Sequence, residues 1–127
     1  DIAKHWGPSS LDVVIVSCLM HHMTSIQEWE NFLSACNIVL KKGGILLFRE
    51  PAPTLIIRFL HWMSRYKIFY FGFFKVRLES FIEEDSILQH FFKHWFKSYK
   101  ELINRNGFKI NKEVNWFVHR ITVCEKQ

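Results

Sequence analysis

The chain has 127 residues, 49% of them hydrophobic, 17% aromatic and 23% charged, with a formal net charge of +5. That length allows one ordinary domain, and this composition excludes a disordered chain. The modest positive charge favours acidic partners such as nucleic acid or anionic lipid but requires none, because many enzymes acting on neutral substrates are equally basic.

The start, Asp1 to Trp6, is polar and shows no signal peptide. Residues 3–10 read as a polar loop, with Gly7-Pro8-Ser9-Ser10 as a turn cluster. Leu11-Asp12-Val13-Val14-Ile15-Val16-Ser17 then reads as a buried strand. It leads through Cys18-Leu19-Met20-His21-His22-Met23 into an amphipathic helix. Ser25-Ile26-Gln27-Glu28 fits a capping box, in which the serine oxygen takes a backbone N–H and the glutamate reaches back. Trp29, Phe32, Leu33, Cys36, Val39 and Leu40 recur at helical spacing and predict one apolar stripe. Lys41 and Lys42 suit the negative helix end, and Gly43 can close it in a left-handed conformation.

A second apolar strand, Ile45-Leu46-Leu47-Phe48, ends in Arg49-Glu50-Pro51. Two near-continuous apolar strands joined by a helical crossover predict parallel pairing in an α/β fold, with helices on the sheet faces. Ligands of such sheets bind beyond the carboxyl ends of the strands. Here those ends carry residues 17–22 and 49–51.

Residues 52–95 form a long connection with interleaved aromatic and basic side chains, and two helices are expected near 54–66 and 80–95. Arg58, Arg65 and Lys67 interrupt every window long enough to span a membrane. Ser98-Tyr99-Lys100-Glu101 fits a second capping box, before a short helix that ends at Asn106-Gly107. Phe108 to Val114 alternates as a half-exposed strand, Asn115-Trp116 is the expected turn, and Phe117 to Cys124 is the expected last strand of an antiparallel hairpin.

Cys18, Cys36 and Cys124 are odd in number and widely spaced, without a C-x-x-C pattern. This excludes a zinc ribbon and predicts reduced thiols in apolar surroundings, as in a cytoplasmic protein. His90 and His94 stand four apart on an expected helix, but no glutamate completes an H-E-x-x-H pattern, so no metal site is expected. Glu83-Glu84-Asp85 reads as a solvated acidic turn or helix start.

The order strand, Leu-Met-His-His, helix, Leu-Lys-Lys-Gly-Gly-Ile-Leu-Leu-Phe resembles the middle of a class I S-adenosylmethionine-dependent methyltransferase. Residues 98–108 and the strands after them are similar to that family's last helix and final hairpin. The resemblance covers most of residues 1–50 and 97–125. It implies a Rossmann-like half-sheet of two parallel strands plus a C-terminal antiparallel hairpin, with flanking helices, as one partial domain over 1–127. Within it, 1–50 is the strand–helix–strand core, 51–96 an aromatic and basic lid, and 97–127 the final helix and hairpin. The family usually carries a Gly-rich loop after its first strand. The glycines here, Gly7, Gly43, Gly44, Gly72 and Gly107, form no G-x-G pattern. The expectation is therefore a carboxyl-terminal half lacking most cofactor contacts.

The resemblance implies S-adenosylmethionine as cofactor, with Asp1 and Ile2 beside its adenine and Ser17, Cys18, Leu19 and His22 along its pocket. His21, Arg49 and Glu50 are the expected acceptor contacts. Each has a plainer reading: His21 or His22 packs at the helix entry, and Arg49 pairs with Glu50 or faces solvent. A histidine here could also serve as general base, although methyl transfer often needs only positioning of the acceptor. No catalytic residue is assigned.

The lid has three open readings: a core layer, a pocket for a lipid-like acceptor with membrane-surface contact through 54–77, or stacking on nucleic-acid bases. The expected function is methyl transfer to a small-molecule or lipid-like acceptor. The alternatives are a non-catalytic methyltransferase-like binding module or a fragment of an RNA methyltransferase. Without a neighbouring strand, residues 11–17 are expected to form an exposed apolar edge prone to self-association.

Overall fold

The computed structural model describes residues 2–52, 54, 55, 90, 91, 93 and 98–127. Among these residues, β1 (Leu11–Ser17), β2 (Leu40–Pro51), β3 (Phe108–Trp116) and β4 (His119–Lys126) form one sheet in the order β1-β2-β4-β3. β1 and β2 are parallel, and β4 is antiparallel to both β2 and β3. The expected half-sheet is thus present: two parallel strands extended by a hairpin. The lid expectations for 51–96, including the helices near 54–66 and 80–95 and the membrane contact through 54–77, lie almost wholly outside the described residues. No helix among the described residues is long and apolar enough to cross a membrane.

The crossover is α2 (Ile26–Val39). Its capping box is complete, with Ser25 Oγ accepting from Glu28 N and the Glu28 carboxylate accepting from Ser25 N. Trp29, Leu33, Cys36 and Val39 are buried along one stripe. They pack with Val14, Val16, Leu46 and Phe48 of the parallel strands, and with Tyr99, Leu102 and Ile103 of the helical residues 98–105. Both helical segments therefore contribute to one core cluster. On the sheet's other face Val13 and Ile15 are 51% and 69% exposed, and among the described residues nothing pairs with the outer side of β1.

Several local details depart from the sequence expectations. Residues 2–5 are not loop but a helical turn, α1 (Ile2–His5), which packs against α2. The crossover helix stops at Val39, and Lys41 and Lys42 already belong to β2. The basic group at the helix end instead comes from β4: Lys126 Nζ donates to the carbonyls of Asn37 and Leu40. A cation there complements the unpaired carbonyls and the negative end of the helix dipole. Gly43 does adopt a left-handed φ of 75°, but inside β2, where the register skips from Leu11–Leu40 to Val13–Ile45. Ser98 is itself helical, so it is not the residue that caps that helix.

In the hairpin the turn falls at Phe117-Val118 rather than Asn115-Trp116, because Trp116 still pairs with His119. A register shift between Ile110 and Lys112 breaks the expected alternation of β3. It leaves Val114 opposite Ile121 and turns Glu113 toward Thr122. A bulge reverses which side chains face inward, an effect invisible to simple period-two counting.

Gly44 shows why that stretch of β2 carries glycine. A Cβ there would lie 2.8 Å from Lys41 O and 3.2 Å from Asp12 O, both backbone atoms that cannot swing away. Gly44→Ala is expected to destabilise the fold by about 1–3 kcal/mol through overpacking. Gly7→Ala, where a Cβ meets open space, should be nearly neutral. Thermal denaturation of both variants checks the contrast.

Candidate active site

Parallel pairing brings the carboxyl ends of β1 and β2 side by side. Ser17 lies opposite Arg49, and Cys18 N donates to Arg49 O at 2.8 Å. The chain then turns sharply. Cys18 adopts a φ of 51°, a left-handed value unusual outside glycine, and a single 3-10 turn follows over Met20–His22. Residues 17–22 and 49–51 therefore share one rim, as the β-α-β pattern predicts.

The rim is organised by Glu50, a carboxylate only 5% exposed. One oxygen, Oε1, accepts from Leu19 N and Met20 N, each at 3.0 Å. The other, Oε2, lies 2.9 Å from His21 Nδ1. An ionised carboxylate can only accept, so Nδ1 donates to it, and in the neutral ring Nε2 is then the nitrogen left as acceptor. His21 is further fixed by ring contacts, with His22 at 4.2 Å between centroids and with Phe91 edge-on at 6.1 Å. Phe91 in turn stacks on Trp29 of α2 at 5.6 Å. A buried carboxylate satisfied by three donors has the compensation that burial of charge demands.

Arg49 and Glu50 are consecutive in a strand, so their side chains leave opposite faces of the sheet. They form no ion pair with each other: Glu50 turns inward to His21, while Arg49 is exposed. Arg49 instead helps line a cavity of about 320 Å³ with Trp116, Phe117, His119 and Ile121. Of the other expected contacts, Ser17 and His22 are exposed at the rim, and Leu19 is 45% exposed. Ile2 sits in α1 and packs against the core. Asp1 lies outside the described residues, as does His94. His90 is helical and exposed, and no group of three metal-ligating side chains occurs among the described residues.

His119 is the rim residue that sequence reading missed. It follows the hairpin turn, pairs across the sheet with Pro51, and places Nε2 3.7 Å from Cys18 Sγ. Its only signal in the sequence is a histidine within a strand pattern, which does not reveal that β4 lies beside β2. Desolvation pushes its pKa below the ordinary 6.5, the Arg49 charge pushes in the same direction, and Glu50 opposes them. The other thiols are different in kind. Cys36 and Cys124 are buried, and desolvation raises each to about 12.

Parallel strands with polar groups gathered at their carboxyl ends have the arrangement of a Rossmann-like half-sheet. Residues 3–48 match the model of a family described as a methyltransferase domain. No curated protein sequence matches the chain. Among solved structures, the fold is similar to that of a possible exported protein from Bordetella parapertussis, at 12% identity and a TM-score of 0.61, over 99% of this chain and 42% of that one. It is similar to a putative S-adenosylmethionine-dependent methyltransferase from Listeria monocytogenes, at 15% identity and TM-score 0.55, over 94% of this chain and 63% of that one. A methyltransferase from Methanosarcina mazei aligns at 14% identity and TM-score 0.58, over 95% of this chain and 61% of that one. The chain thus spans less than two thirds of each of these three structures. The match over residues 3–48 and these structural likenesses agree: the chain carries part of a Rossmann-like fold similar to that of S-adenosylmethionine-dependent methyltransferases.

The His119 shift sets a pH dependence. Its folded pKa lies below the unfolded value, so the unfolded chain binds more protons as pH falls through 6.5. Stability is therefore expected to drop below that pH, and His119 contributes nothing at higher pH. His119→Gln should shallow the acid limb of a denaturation series measured across this range.

Proposed function

We propose that this chain supplies the acceptor side of an S-adenosylmethionine-dependent methyltransferase that acts on a small molecule. The observation that carries the reading is the Glu50–His21 pair at the shared rim of β1 and β2. It fixes one ring nitrogen as donor and leaves the other free to accept a proton.

The residues fit the cofactor in part. Ser17, Leu19 and His22 leave exposed groups at the rim, and the turn they occupy is held in place by Glu50. They would line the cofactor's pocket, whereas no Gly-rich turn for close backbone approach occurs in the sequence. When bound there, S-adenosylmethionine supplies an electrophilic methyl group on a sulfonium. Everything else in the reaction concerns the acceptor. His21 Nε2 takes the proton of an acceptor hydroxyl or amine placed within hydrogen-bond reach. Glu50 stabilises the resulting imidazolium through Nδ1–H, as a carboxylate partner does in other acid–base dyads. Phe91 and His22 hold the ring against rotation, so the lone pair keeps its direction. In this reading His21 contacts the acceptor, and Glu50 acts through His21. The lipid-like acceptor considered from the aromatic lid rests on residues outside those described, so the proposal is confined to a small molecule.

Methyl transfer from radiolabelled S-adenosylmethionine tests this in the intact protein that contains these 127 residues. His21→Gln is expected to lower kcat by about 10²-fold or more and to flatten the pH profile, with cofactor affinity nearly unchanged. Unchanged kcat and pH profile contradict the base role. Absence of cofactor binding contradicts the methyltransferase reading altogether.

A further inference from the structure

We propose that the cavity between Arg49, Trp116, Phe117, His119 and Ile121 is the acceptor subsite and that it takes a planar aromatic acid. Its role as acceptor subsite rests on the methyl-transfer reading above, but its ligand chemistry does not.

The cavity is built by cross-strand register. Arg49 lies opposite Ile121, and His119 lies opposite both Pro51 and Trp116. The four side chains therefore project from one face, where neighbouring strands bring them within reach of one another. The volume of about 320 Å³ falls at the small end of ligand pockets, which suits one or two fused rings.

Each wall has a chemical preference. Arg49 is exposed, and among the described residues no carboxylate pairs with it. The adjacent acid, Glu50, is committed to the opposite face. A guanidinium fork without a partner matches a ligand carboxylate in bidentate geometry. Trp116 and Phe117 are 66% and 72% exposed and present a large aromatic surface. Phe117 is held at the hairpin tip with a φ of 54°, so the turn itself aims that side chain. Two aromatic side chains beside one cation favour a flat ligand with a single negative end. Ile121 adds an apolar surface, and His119, whose pKa is depressed, offers a neutral imidazole for a hydrogen bond. One arginine is too few for a phosphate backbone, which needs a row of cations.

The cavity also shares the catalytic rim. His119 lies close enough to Glu50 to sense its charge, and its Nε2 is 3.7 Å from Cys18 Sγ. An acid anchored on Arg49 would thus lie beside the turn that carries the His21 base.

The test uses two probes on the intact protein that contains these residues, 2-naphthoate and the uncharged 2-naphthol, without cofactor. Calorimetry measures affinity, and NMR follows the Trp116 indole N–H, assigned by its loss in Trp116→Phe. Naphthoate is expected to bind more tightly than naphthol and to shift that resonance. Arg49→Gln should weaken naphthoate at least about tenfold, leave naphthol within about threefold, and leave the melting temperature unchanged. Arg49→Lys, which keeps the charge but loses the fork, should fall between. Equal binding of the two probes, or no loss in Arg49→Gln, overturns the proposal. Naphthoate binding that behaves as expected in a protein without methyl transfer would leave the aromatic-acid site standing and sink only the catalytic reading. Methyl transfer without naphthoate binding would do the reverse.

Discussion

The Glu50 carboxylate is the constraint on which the rim depends. β1 and β2 are joined along their length by ladder hydrogen bonds, but those bonds end at Ser17 and Arg49. Beyond them the chain leaves β1 through a left-handed Cys18 and a short 3-10 turn, with little regular structure to hold it. Glu50 closes that gap by accepting two backbone N–H groups and one imidazole. Such a buried carboxylate is tolerable only because all its partners are in place, and losing one leaves a charge without compensation. The same atoms that fix the turn therefore also fix the tautomer of His21.

Strand alternation then divides the labour. Glu50 points to the helix-covered face, and its neighbour Arg49 points to the open one. The first holds the turn and His21, and the second faces an aromatic-walled cavity supplied by the hairpin. Both sets of groups meet at one rim because β4 lies antiparallel beside β2, bringing His119 next to Pro51. The hairpin is thus more than an extension of the sheet. It carries Trp116, Phe117, His119 and Ile121 to the place where the parallel strands end.

Much of this was legible in residue order. The run Leu11–Ser17, the Ser25–Glu28 cap, the stripe from Trp29 to Val39 and the strand through Phe48 all carry local signals whose geometry is short-range. The shared rim follows from parallel pairing alone. What was not legible depends on pairing between distant segments. Lys126 caps a helix that ends 87 positions earlier, at Val39. His119 joins the rim only because of its place in β4. The bulge after Ile110 inverts the faces of β3, and Phe117 accepts a left-handed turn that its residue type does not announce. Arg49 and Glu50 were expected together, as acceptor contacts or as each other's partner. Their separation follows from the two-residue period once β2 is known to continue to Pro51.

The central claim, that Glu50 holds His21 with its proton on Nδ1, is open to direct measurement. Nitrogen-15 NMR of the histidine rings distinguishes the two neutral tautomers, and His21→Gln assigns the signal. The expected spectrum shows a protonated Nδ1 and an unprotonated Nε2 for His21, with the pattern lost in Glu50→Gln. A His21 ring protonated on Nε2 instead, or one indifferent to Glu50→Gln, would contradict the account.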